Sequence, residues 1–76
     1  MTTLEDLVAQ VLEIPHASIT DDLGPRTDGR WTSLRHLELV SAARRTFGVT
    51  LSPREIRSIR TVGDFRALLR SRGVTP

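Results

Sequence analysis

Leu4, Leu7, Val8, Val11 and Leu12 recur with the three-to-four-residue step of a helix, and no stretch of the chain alternates with the two-residue step of a strand. That periodicity confines the chain to helix-on-helix packing. The first helix is expected over residues 4–14, with Thr2 and Glu5 at capping-box spacing and Pro15 as its stop. Residues 15–32, PHASITDDLGPRTDGRWT, hold two Pro, two Gly and three Asp and read as a long loop. A loop of that length needs apolar anchors, here Ile19, Leu23 and Trp31. A second helix runs from Ser33 to Phe47, with Gly48 as a left-handed cap. Ser52, Pro53 and Glu55 then open a short third helix that gives way after Ile59. Thr61 and Asp64 repeat the box spacing ahead of a fourth helix, whose buried stripe is Val62, Phe65, Leu68 and Leu69 and whose end is Gly73. The expected fold class is all-α: a four-helix bundle of three longer helices and a short third one, forming a single domain over 1–76.

A chain of 76 residues buries only about 60% of its unfolded surface, so the core is small. There is no cysteine, which removes disulfides and cysteine zinc sites and leaves apolar helix faces to hold the fold. The two histidines, His16 and His36, match no metal-ligand spacing, and no metal is expected. Acids near the start and the lack of any span approaching about 18 apolar residues argue against a secretory signal or membrane helix. A cytoplasmic monomer is the expectation.

Charge is divided along the chain: residues 1–28 carry net −5 and residues 29–76 carry net +7, every base being arginine. A basic helical segment raises the possibility of a nucleic-acid-binding module. Against it, the arginines are scattered over three helices with no stacking aromatics among them apart from the core candidates Phe47 and Phe65.

At 100° per residue, Leu39, Val40, Ala43 and Phe47 share one side of the second helix, with His36 at its upper end. Leu34, Leu37 and Ser41 project from nearly the opposite side, rimmed by Glu38, Arg44 and Arg45. A small bundle cannot bury both sides, so Leu34 and Leu37 form a candidate docking patch beside Ser33. Ser33, or Thr32 before it, can serve simply as the helix cap. A phosphate-linked arm on Ser33 would instead sit in the favourable field of a helix N-terminus. A third use, as a hydrolase nucleophile with His36 one turn away, lacks a nucleophile elbow, a third member to orient the histidine and enough chain to wall off an oxyanion site. No catalytic residue is expected.

The segments SLRHLELV, RTFGVTLSPREI and RTVGDF, in this order and spacing, resemble the acyl and peptidyl carrier proteins that hold intermediates on 4′-phosphopantetheine. The likeness covers almost the whole chain. It implies a four-helix bundle with a long first loop, Ser33 as the residue that carries phosphopantetheine, and a terminal thiol holding acyl groups as thioesters. It also implies a phosphopantetheinyl transferase and acyl-loading and acyl-processing enzymes as partners.

Two departures from the family pattern carry expectations of their own. The family has aspartate before the serine, where this chain has Thr32, which can cap a helix but not bind a cation as a carboxylate does. Modification should therefore be less efficient. Family members of fatty acid synthesis are acidic along the second and third helices, whereas this chain has Arg35, Arg44, Arg45, Arg54 and Arg57 there. The expected function is a stand-alone acyl carrier protein of secondary metabolism, of the polyketide or nonribosomal peptide kind. Its docking residues would be Thr32, Leu34, Arg35, Leu37, Glu38, Arg44, Arg45, Arg54 and Arg57, facing acidic partner surfaces. The rival readings are a carrier-like interaction domain without the prosthetic group and, further off, the nucleic-acid-binding module; neither nucleic acid nor membrane is an expected partner.

Overall fold

The computed structural model describes residues 2–76. Among them the elements are α1 (Leu4–Leu12), a 3-10 turn (His16–Ser18), α2 (Ser33–Phe47), α3 (Pro53–Ser58) and α4 (Val62–Ser71), with no strand. The all-α bundle read from periodicity is the observed one. No helix among the described residues is long and apolar enough to cross a membrane.

Local capping chemistry sets most of the boundaries. Ser52 and Glu55 exchange side-chain and backbone hydrogen bonds around Pro53 at the start of α3, as their spacing predicts. At the end of α2, Gly48 takes φ 70°, the left-handed conformation that glycine adopts without a Cβ penalty. The cap of α1 corrects the sequence reading. Thr3 and Asp6 form the capping box, one residue later than Thr2 and Glu5. Glu5 is occupied elsewhere, paired with Arg66 of α4. The helix also stops at Leu12 rather than residue 14, because Glu13 turns left-handed at φ 57°. Ile14, held out of the helical region by Pro15, then swings into the core at 5% exposure.

At α4, Thr61 Oγ1 accepts from the Asp64 N–H, but the Asp64 carboxylate reaches the Arg60 N–H rather than closing a box on Thr61. The remaining amides at this helix start are taken by the long loop: Val62 donates to the Leu23 carbonyl at 2.9 Å and Gly63 to the Asp21 carbonyl at 2.8 Å. This contact requires Gly24, where an added Cβ would lie 2.1 Å from the Arg60 carbonyl oxygen. Leu23 and Trp31 are buried and Ile19 is partly buried, so the loop is pinned at the residues expected to anchor it.

The core is built around Leu4, Val8, Leu12, Leu39, Phe65 and Leu69, all nearly inaccessible. Ala43 and Val62 complete the inner faces of α2 and α4. Val11, Val40, Phe47 and Leu68, placed on inner stripes by their spacing, are only half-buried. Beyond Gly48, Val49 and Leu51 are buried and join the core cluster, against which Phe47 packs.

Arg66 ties three elements together, its guanidinium meeting Glu5 of α1 and lying 3.2 Å from Asp21 of the loop. The hydrogen bond from Arg66 is the main reason that the Glu5 carboxyl is held below the usual carboxylate range. Asp6, Asp28 and Glu55 shift the same way through their own hydrogen bonds. A carboxyl whose pKa is lower folded than unfolded contributes stability that is complete above its unfolded pKa and is lost as pH falls through the folded value. The urea midpoint should therefore stay level near neutrality and fall below about pH 4.5, and Arg66→Gln should make that acid-side fall shallower.

Candidate functional site

Thr32 lies in extended conformation (φ −86°, ψ 173°), its side chain accepting from the Arg35 N–H at 3.2 Å and its carbonyl from the His36 N–H at 2.9 Å. The cap of α2 is thus Thr32. Ser33 occupies the first helical position with an exposed side chain whose hydroxyl makes no hydrogen bond among the described residues. The N–H groups of Ser33 and Leu34, at the head of the helix, likewise meet no acceptor among them.

One turn on, His36 is committed to structure. The indole N–H of buried Trp31, which can only donate, gives a 3.0 Å hydrogen bond to His36 Nδ1. That fixes the proton on Nε2, which donates to the Ile56 carbonyl at 2.8 Å. The two rings lie 6.0 Å apart, tilted by 35°. With both ring nitrogens engaged, His36 has no free site with which to activate Ser33. Nothing in the sequence marked this bridge, which joins the end of the loop, α2 and α3 across 20 residues of chain. His16 sits 3.1 Å from Asp6, and no group of three His, Cys, Asp or Glu side chains gathers among the described residues.

The bridge leaves a groove of about 560 Å³ between the loop, the head of α2 and α3. Trp31, Leu37, Ile56 and Ile59 form its apolar walls, while Ser33 and Arg57 open onto it. A second groove, of about 330 Å³, lies on the α1 side of α2 between Val11, Leu34, Glu38 and Arg45, with Leu37 bordering both. Leu34 and Leu37 are 67% and 56% exposed, the large hydrophobic residues left outside the core.

Arg44, Arg45, Arg54 and Arg57 are exposed and form no ion pair among the described residues. Arg35 differs from the other arginines proposed for docking. Its guanidinium turns back to α1, donating to the Val11 carbonyl and standing 3.5 Å from Glu13. It ties the end of α1 to the head of α2 and is not a free surface charge.

An uncommitted hydroxyl on the first turn of a helix, beside an apolar groove that no acid lines, suits a serine that bears a phosphate-linked group. Such a frame is that of a carrier protein, which presents a tethered group to other enzymes. Residues 2–69 match the family described as the phosphopantetheine attachment site, and the chain belongs to that family. Its cofactor is covalently attached 4′-phosphopantetheine. Among curated proteins, none matches the chain.

Proposed function

We propose that Ser33 is the attachment residue and that the chain carries a biosynthetic intermediate of secondary metabolism, of the polyketide or nonribosomal peptide kind. The observation that carries this reading is the free Ser33 hydroxyl at the head of α2, left over because Thr32 does the capping. In transfer from coenzyme A, Ser33 Oγ forms the new bond to phosphorus, the coenzyme's pyrophosphate linkage breaks, adenosine 3′,5′-bisphosphate leaves, and the hydroxyl proton passes to a base of the transferase. Once attached, the group supplies a thiol on a long arm that holds an acyl unit as a thioester. The chain's own residues orient and recognise. Thr32 fixes the first turn, His36 and Trp31 hold α3 beside it, and the tether keeps the cargo at high local concentration near each partner enzyme.

The test is the intact mass of the folded protein after incubation with coenzyme A, magnesium and a broad-specificity phosphopantetheinyl transferase. Gain of one phosphopantetheine supports the reading. No gain with several transferases sinks it, leaving a carrier-like interaction domain, a reading favoured by the absence of a carboxylate beside Ser33.

The partner surface is the second part of the proposal. Leu34 and Leu37 offer little apolar area, so encounter and orientation depend on the exposed Arg44 and Arg45 of the same helix, which suits acidic patches on loading enzymes. Exposed charges are screened over about 8–10 Å, so acyl loading at sub-saturating carrier should fall as salt rises. Arg44→Glu with Arg45→Glu should lower that loading about tenfold or more at low salt, with helicity unchanged. Loading indifferent to both salt and charge reversal would leave docking to the two leucines.

A further inference from the structure

Leu34, Ser41 and Gly48 follow one another at seven-residue intervals, a step that turns only about 20°, so they run in one line along the outward side of α2. Leu37 and Glu38 flank that line before Ser41, and Arg44 and Arg45 flank it after. All of these residues are exposed. Glu38 and Arg45 line the same groove of about 330 Å³ on the α1 side, yet neither has an ion-pair partner among the described residues. Seven residues of helix hold them about 10 Å apart along the axis, too far to pair with each other. At the end of the line an added Cβ on Gly48 would meet nothing within 4 Å, so the surface there is open.

We infer that this face takes a second copy of the same chain, α2 against α2 and antiparallel, about a two-fold axis at Ser41. The order of the side chains along the helix carries the inference. Glu38 of each copy, three residues before Ser41, comes level to within about 1.5 Å with Arg45 of the other, four residues after it, and both stand on the α1 side. Leu37 meets Arg44 in the same way, where the methylene stem of the arginine covers it. Leu34 faces Gly48, which has no side chain to hold it off. Two ion pairs form, and none among the described residues is broken. A parallel arrangement would instead set Glu38 against Glu38 and Arg45 against Arg45. The face is about 22 Å long and about 10 Å wide, far short of the roughly 800 Å² a side of a stable interface, so the pair is transient. That suits a surface whose leucines must also be yielded to a loading enzyme, and it departs from the monomer expected of the sequence.

The experiment is sedimentation equilibrium of the full chain without its prosthetic group, from about 10 μM to about 1 mM, so its outcome does not depend on the assignment of Ser33. The average mass should rise towards that of a dimer across this range at low salt, and rise less at high salt. Glu38→Arg and Arg45→Glu each set like charges together at both pairs and should weaken association about tenfold or more. An equimolar mixture of the two variants should restore it, because each pair then joins Arg to Glu again. Loss of fold in either variant would not be rescued in this way. A parent that stays monomeric up to about 1 mM would overturn the inference, as would association that survives in both variants or fails to return on mixing.

Discussion

Ser33→Ala should abolish the gain of phosphopantetheine mass while leaving the helical circular dichroism and the urea midpoint nearly unchanged. The expectation of a total loss follows from chemistry, since alanine has no oxygen to join to phosphorus. The expectation of an intact fold follows from the geometry at the head of α2. Ser33 is exposed at the first helical position, its hydroxyl bonds to nothing among the described residues, and alanine is a better helix former. A surface change of this kind lies within about 0.5 kcal/mol. Thr32→Ala should do the opposite: it removes the acceptor of the Arg35 N–H and costs about 1 kcal/mol, with Ser33 still open to modification. Were Ser33→Ala to destabilise as much as Thr32→Ala, Ser33 would be a structural residue after all. Were Ser33→Ala to gain the full mass, attachment would lie at another side chain.

Features decided within a few residues were legible in the sequence. Ser52, Pro53 and Glu55 open α3 as read, and Gly48 ends α2, because caps are local hydrogen bonds and local dihedrals. The exposure of Leu34 and Leu37 was legible too, since it follows from the angle between two faces of a single helix. Errors arose where a distant partner decided between local equals. Thr2 with Glu5 and Thr3 with Asp6 have the same spacing, and the choice is made by Arg66, which engages Glu5 from 61 residues away. Arg35 and Arg45 look alike as letters, yet only Arg35 finds a carbonyl and a carboxylate at the end of α1. The bridge from Trp31 through His36 to Ile56 leaves no trace in periodicity, because one end is a backbone carbonyl, which any residue can supply.

Phe65→Ala is the substitution expected to cost most in stability. Its ring is fully buried on α4 at the centre of the core cluster. Truncation removes the transfer free energy of the ring and leaves a cavity among neighbours that relax only in part, about 3–5 kcal/mol for a buried phenylalanine. A domain of this size can have total stability of little more than about 5 kcal/mol, so the variant should be largely unfolded or show a much lowered urea midpoint. Phe47, on the inner stripe of α2 by its spacing alone, is only partly buried in the fold, packed against the core cluster rather than enclosed in it. Phe47→Ala should therefore cost roughly half as much as Phe65→Ala, its smaller burial reducing both the transfer and the cavity contributions. Leu37→Ala, at 56% exposure, should change stability by less than about 0.5 kcal/mol while weakening coupling to a loading enzyme. Urea midpoints for the three variants, measured with unchanged m-values, give the order directly. If Leu37→Ala lowered the midpoint as far as Phe65→Ala, the outward side of α2 would be part of the core, and the docking patch beside Ser33 would have to be given up.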